Sequence, residues 1–281
     1  MWQSSYDGSP TLYLIPTPIG NLDDMTFRAI DVLKSVDVVF AEDTRVTAML
    51  LSHFEIKKKL ISLHDHNEEV VKEKVLEFLK NGSSVCIVTD RGTPVISDPG
   101  YKTVKYVSDN GFNVVALPGA NAFVPALIVS GIVSKPFTFY GFLDSKDSRR
   151  RKELEKLKYN RETMIFYEAP HRILKTMQLM LDVFGDRDVS LSREISKKFE
   201  SVYRGKISNL LPTLEGIKGE FVIVLSGCSN VVNGSDDISI FDSVKLYIDD
   251  GMKPMEAIKR VAKAKNMKKS DVYNIYNKEN L

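Results

Sequence analysis

Val85 to Gly100 reads VCIVTDRGTPVISDPG, an apolar run that ends in an acidic residue and a loop dense in glycine and proline. The run Val85-Cys86-Ile87-Val88 has the length and β-branched content of a strand buried on both faces, which puts Asp90 at its carboxyl end. In an open α/β sheet, ligands bind at that end. Gly92, Pro94, Pro99 and Gly100 stop any regular element from forming, while Thr93, Ser97 and Asp98 bring hydrogen-bonding side chains close together. A Gly/Pro turn alone is as often a plain surface turn, but a stretch with so few spare positions favours a ligand loop.

On the amino-terminal side, Leu12 to Ile15 reads as a strand, followed by the loop PTPIGN and a helix with Phe27, Ala29, Ile30 and Leu33 on one face. A strand over Val36 to Ala41 leads into the tetrad Glu42-Asp43-Thr44-Arg45, which also suits the acidic start of a helix. Leu60 to Leu63 is a further strand, running into His64-Asp65-His66-Asn67-Glu68. Two histidines suggest a metal, yet no third ligand cluster and no HExxH helix accompany them, and no metal is expected. Asp65 with Glu68 fits a capping box for a helix from Glu69 to Lys80. On the carboxyl side come a helix over Tyr101 to Asp109, a strand over Phe112 to Leu117, the loop Pro118-Gly119-Ala120-Asn121-Ala122, and a helix over Phe123 to Val129. Strand and helix alternate and each polar loop follows a strand, the pattern of a parallel sheet with its site along one rim. This unit is assigned residues 1–133.

A second unit, residues 134–232, contains strands at Phe137 to Tyr140, Thr163 to Tyr167, Val189 to Leu191 and Glu220 to Leu225, with fewer long helices between them. A mixed sheet is expected there. The run Arg149, Arg150, Arg151 with Lys146 and Lys152 is either a solvated helix face or an RNA contact. His171, at a helix start marked by Pro170, is either a base or a plain polar residue. Asn230 to Asp237 reads as a linker. The remainder, residues 233–281, is helical in pattern and basic, and its turn at Asn266 between two helices resembles a helix-turn-helix; Lys263, Lys268 and Lys269 are candidate RNA contacts.

Composition sets wider limits. The 281 residues are 43% hydrophobic and 27% charged, in the range of a soluble globular protein. Basic residues number 39 and acidic ones 37, a net charge of +2, so any nucleic-acid contact must come from local clustering. No apolar run reaches bilayer length and the first ten residues lack a leader pattern, so a cytoplasmic protein without a membrane partner is expected. Cys86 and Cys228 both fall in apolar strand-like runs, as buried reduced thiols do.

The chain has no G-x-G-x-x-G after its first strand, no G-x-x-x-x-G-K-[ST], no G-x-S-x-G elbow and no Cys/His pair. Loops rich in Pro, Gly, Thr and Asn that enclose a small polar cofactor fit group transfer instead. The ordered motifs PTPIGN, AEDTR, LHDHNE, TDRGTPVISDPGY, LPGANA, FYEAPHR, SREISKKFE and KGEFV, spread over Leu12 to Leu225, resemble the tetrapyrrole-methylase superfamily, and within it the branch that methylates ribose in small-subunit ribosomal RNA. The resemblance implies two α/β domains, a parallel sheet followed by a mixed one, with a small helical module at the carboxyl end. It also implies S-adenosylmethionine in the cleft between the domains, a homodimer, and a cytidine in the decoding region of 16S rRNA as acceptor.

Carried onto this sequence, the resemblance places Asp90, Gly92, Thr93, Pro94 and Ile96 in one cofactor loop and Asn121 and Ala122 in another, with Tyr167, Glu168, Ala169 and Ser196 from the second domain. Arg91 departs from the pattern, which has Ala there. A cation beside a sulfonium is expected to turn outward or to pair with the cofactor's carboxylate. A 2′-hydroxyl needs a base near it, and Glu42, Asp43 and His64 are candidates, with Glu194 as an alternative and Arg45 and Asn67 orienting the RNA. Two rival readings share the fold: a methylase acting on carbon atoms of a tetrapyrrole precursor, and an RNA-binding protein without catalysis.

Overall fold

The structure, a computed structural model, describes residues 3–5, 7–228, 239–249 and 251–279. Strands β1 (Thr11–Leu14), β2 (Val38–Ala41), β3 (Lys59–Ser62), β4 (Val85–Val88) and β5 (Asn113–Ala116) form one sheet in the order β3-β2-β4-β1-β5. Every pairing is parallel, and Val85 lies opposite both Leu12 and Val38. Parallel neighbours need crossovers. Helices α1 (Phe27–Ser35), α2 (Thr44–His53), α3 (Glu68–Lys80) and α4 (Tyr101–Asp109) provide them. They cover both faces of the sheet, so β4 is an unbroken apolar run whose residues are at most 2% exposed. Successive side chains point to opposite faces: Cys86 and Val88 pack with Leu33 and Leu51, while Val85 and Ile87 pack with Val75 and Val107.

Helix α5 (Phe123–Val129) follows β5 but packs on the second sheet, where Ala126 and Leu127 meet Ile165, Val222 and Val224. Arg204 fastens its end by donating to the Val129 carbonyl at 2.9 and 2.6 Å. The second sheet comprises β6 (Phe137–Phe142), β7 (Thr163–Glu168), β8 (Asp188–Arg193), β9 (Ser201–Lys206) and β10 (Phe221–Leu225), in the order β6-β7-β10-β8-β9. Only β6 and β7 run parallel, so the sheet is mixed as expected. Helices α6 (Asp147–Leu157), α7 (Ile173–Phe184) and α8 (Ile207–Leu210) belong to this unit.

Helices α9 (Ile240–Asp249), α10 (Pro254–Ala264) and α11 (Lys269–Glu279) close around Val244, Tyr247, Ile258, Val261 and Val272. The Tyr159 hydroxyl donates to Asp242 at 3.1 Å and ties α9 to the second unit. The expected break at 133/134 falls between α5 and β6; the one at 232/233, with the linker Asn230 to Asp237, lies outside the described residues. Cys86 is buried, whereas Cys228 is half-buried just past β10 rather than inside a strand; both are free thiols. Among the described residues no helix is long and apolar enough to cross a membrane.

Candidate active site

Because β1 to β5 are parallel, the loops after them emerge on one rim, where backbone pairing stitches them together. Thr17 and Gly92 exchange N–H···O bonds of 2.9 and 3.0 Å, and the Thr17 hydroxyl donates to the Thr89 carbonyl at 3.0 Å. Thr93 extends the seam by donating to the Ala120 carbonyl at 3.0 Å. Gly92 sits at φ +87°, and a Cβ there would lie 3.3 Å from the Ile19 side chain. A larger residue would strain the backbone and push the loops apart.

The second sheet faces this rim with the ends of β7 and β8 and, because β10 runs antiparallel to both, with the start of β10: Phe221 lies opposite both Glu168 and Arg193. Between the two rims lies a cleft of about 620 Å³. Ile19, Ile96, Phe142 and Ile195 give it apolar walls; Glu42, Asp90 and Asp98 give it carboxylates. Val95, Glu194 and Ser196, all without the freedom of glycine, have φ of 76°, 53° and 68°. Such strain persists where the surroundings over-determine the backbone; these three lie on or next to lining residues, while Glu55 and Asn266, the other two such residues among those described, are not in the lining.

Direct bonds join the rims. The Arg91 guanidinium crosses to Glu220 at 2.9 and 3.0 Å; within the second rim the Lys197 ammonium reaches Glu220 at 2.7 Å and Glu194 at 3.0 Å. Ser196 donates to Asp24, and the Tyr167 hydroxyl accepts from the backbone N–H groups of Phe123 and Ala122. Burial pushes that hydroxyl up to about 12, so it stays protonated.

The acidic side of the cleft is unevenly charged. Thr89 donates its hydroxyl to Glu42 at 2.6 Å and is also a hydrogen-bond neighbour of Asp98. Burial, then the Glu42 charge, push Asp98 up to about 6. Asp90 is raised too, chiefly by burial. Asp43 is the opposite case: it caps α2 by accepting from the Arg45 N–H, and the Arg45 guanidinium pulls it down to about 2.

A cleft of this size with apolar walls, small-residue loops and a carboxylate side suits a small organic ligand that carries positive charge. Residues 11–211 match the family described as Tetrapyrrole (Corrin/Porphyrin) Methylases. The chain belongs to this family. Ribosomal RNA small subunit methyltransferase I of Bacillus subtilis (strain 168) is 46% identical over 98% of this chain and 97% of its own length. The protein of that name from Halalkalibacterium halodurans is 43% identical, with 99% of each chain covered. Among solved structures, uroporphyrin-III-C-methyltransferase from Thermus thermophilus aligns with TM-score 0.54 at 18% identity, covering 77% of this chain and 94% of that one. The methyltransferase CobJ aligns with TM-score 0.59 at 15% identity, covering 79% and 95%. At such identities the two structures show the shared fold.

In this tetrapyrrole methylase the expected residues Asp90, Gly92, Thr93, Ile96, Asn121, Ala122, Tyr167, Glu168 and Ala169 line the cleft together with Glu42. Pro94 is buried behind the loop, and Ser196 is held by Asp24 between the lining residues Ile195 and Lys197. The Glu168 carboxylate is turned inward, accepting from Thr176 at 2.6 Å and lying 2.9 Å from Arg172. Arg91 lines the cleft, and its guanidinium is paired with Glu220 at 2.9 Å.

The readings of Arg150 and Glu68 need correcting, and the remaining candidates have these places. Arg150 is 2% exposed and donates to Thr176 at 2.7 Å, because it shares the inward face of α6 with Leu154; it is not a surface contact for RNA. Arg149 and Arg151 stay exposed, beside Asp144 and Asp182. Asn67 spends its amide on its own loop, accepting from the His64 N–H at 2.9 Å and donating to the Ser62 carbonyl at 3.0 Å. Asp43 is committed to its cap, and His64 is not among the residues lining the cleft. Glu68 does not close a box on Asp65; its buried carboxylate accepts from the Thr103 N–H at 2.9 Å and caps α4. Glu194 accepts from the Glu220 N–H at 2.8 Å; against the upward push of burial, that bond and Lys197 hold it below its ordinary value. His171 is exposed in the turn before α7. Among the described residues no group of three or more His, Cys, Asp or Glu is placed to hold a metal.

Lining residues outside the expected set include Phe142, Lys197 and Glu220. Phe142 and Glu220 sit where a strand extends or begins beyond its apolar run, and in a mixed sheet only strand direction tells which end meets the rim.

Proposed function

We propose that the cleft binds S-adenosylmethionine and that this cytoplasmic protein methylates the ribose 2′-oxygen of a cytidine in the decoding region of 16S rRNA, within the small ribosomal subunit. The observation that carries the reading is the charge layout of the cleft: Glu42, Asp90 and Asp98 line it, while its two cations, Arg91 and Lys197, are neutralised by Glu220 and Glu194. A sulfonium is favoured in such surroundings. The names of the Bacillus and Halalkalibacterium relatives support the acceptor.

When bound, the cofactor supplies a methyl group on a positively charged sulfur. The protein's share is alignment and the handling of one proton. The loop with Gly92, Thr93, Pro94 and Ile96 and the loop with Asn121 and Ala122 hold one side; Tyr167, Glu168, Ala169 and Ser196 hold the other. The rim bonds keep both sides in register and reduce the access of water. Arg45, its side chain 87% exposed at the start of α2, is placed to meet phosphate. Arg149 and Arg151, with the exposed Lys263, Lys268 and Lys269 of the carboxyl-terminal helices, extend that basic surface. Val124 and Ile128, one turn apart on α5 and exposed, offer an apolar face to a second copy in a homodimer.

The test is incubation with labelled S-adenosylmethionine and either small subunits or uroporphyrinogen III. Label in RNA that survives alkaline cleavage as 2′-O-methylated dinucleotides is expected. Label in the tetrapyrrole alone, or none anywhere, contradicts the proposal.

A further inference from the structure

The cleft presents several carboxylates, and most are already engaged. Asp43, next to the lining residue Glu42, caps α2 and holds Arg45. Asp90 accepts from the Asp43 N–H at 3.1 Å, and Glu194 is held by Lys197 and the Glu220 N–H. Glu42 takes the Thr89 hydroxyl at 2.6 Å and the Asp90 N–H at 3.3 Å through one oxygen. Asp98 differs. It is half-buried on the cleft wall, and the groups that face it are Glu42, Asp90, Asp65 and the Thr89 hydroxyl, with Tyr167 from the opposite rim. Thr89 has one proton for two carboxylates and points it at Glu42.

We propose that Asp98 accepts the proton that leaves the acceptor's hydroxyl, with Glu42 and Thr89 as positioning residues that govern when it is ionised. The inference rests on the methyl-transfer reading above. The acceptor oxygen gains its bond to the methyl carbon as its O–H bond breaks. The proton goes to an Asp98 oxygen, and the electron pair of the broken carbon–sulfur bond stays on sulfur. One positive charge and one carboxylate charge disappear together, so the balance closes without a further reactant. An acceptor needs a proton affinity near the working pH, and this is the carboxylate that burial, then the Glu42 charge, push up to about 6.

The first measurement needs no turnover: carboxyl carbon NMR titration of the free protein, wild type against Asp98→Asn. A resonance with a midpoint near 6 that disappears in the variant is expected. Its midpoint moves down in Glu42→Gln, which removes a neighbouring charge, and up in Thr89→Val, which removes a donor. The second is kinetic: at saturating cofactor Asp98→Asn loses at least about 100-fold in kcat, far more than the roughly five- to tenfold weakening of its calorimetric Kd for S-adenosylmethionine that the loss of one cleft carboxylate brings. Asp98→Glu recovers part of the loss. The acidic limb of kcat/KM follows the NMR midpoint in each active variant. Wild type that methylates no subunit defeats the functional reading itself. Active wild type with Asp98→Asn within about threefold of it in kcat, or with no such resonance, overturns the role of Asp98 alone. Glu42→Gln losing as much as Asp98→Asn, with the limb unmoved, assigns the proton to Glu42 and overturns it too.

Discussion

Arg91 and Glu220 join the two sheets across the rim of the cleft, one guanidinium nitrogen lying 2.9 and 3.0 Å from the two carboxylate oxygens. Both side chains are more than half exposed, so the pair itself contributes only about 0–1 kcal/mol. Its larger effect is to neutralise a cation in the cleft lining. Arg91→Ala is expected to bind S-adenosylmethionine at least as tightly as wild type in calorimetry. Glu220→Ala, which frees Arg91 and leaves Lys197 to Glu194 alone, weakens binding by roughly five- to tenfold at low salt and by less as salt screens the charges. A large loss in Arg91→Ala would make Arg91 a ligand.

Arg150 connects the packing of α6 to the floor of the second rim. It bonds Thr176, which in turn bonds the fully buried Glu168. Truncating one member of a buried charged network strands the others, so Arg150→Ala should cost roughly 3 kcal/mol in urea unfolding. Arg149→Ala and Arg151→Ala should change stability by less than about 0.5 kcal/mol and instead lower RNA affinity.

Asp43 is lowered from its ordinary value to about 2 by Arg45, so its contribution is present above pH 4 and fades as the pH falls toward 2. Asp43→Ala should lower the Tm at neutral pH by roughly 2–4 °C, and the gap to wild type should narrow in acid. Asp43→Asn keeps a good capping residue and should retain turnover, which would not be so were Asp43 the proton acceptor.

The triple variant Lys263→Ala, Lys268→Ala, Lys269→Ala removes exposed cations from the end of α10 to the start of α11. Filter binding to a small-subunit RNA fragment should show a salt slope shallower by up to about 2.7, if each lysine meets one phosphate. Cofactor affinity should be unchanged. An unaltered slope would remove these helices from the RNA interface.

Much of this was legible in the chain. The unbroken run Val85 to Val88 announces a strand covered on both faces, and the loop after it had to meet the ligand rim whatever else surrounded it. Edge strand β9 was not legible, because one of its faces meets solvent and its apolar content is thin. Arg150 was misread as surface charge although it stands four residues before Leu154, a helical spacing that puts both on one face. Glu68 and Asp98 mark a different limit. Their residue types were visible, but Thr103 for one and Glu42 for the other lie far along the chain and only the fold brings them near.

The central claim is that an activated methyl group held between the two sheets reaches a ribose of the small-subunit RNA. Mapping 2′-O-methylation along 16S rRNA from cells with the gene, without it, and with an Asp98→Asn copy tests it most directly. The account predicts one decoding-region cytidine methylated only with the wild-type gene. An unchanged methylation map on deletion would contradict it.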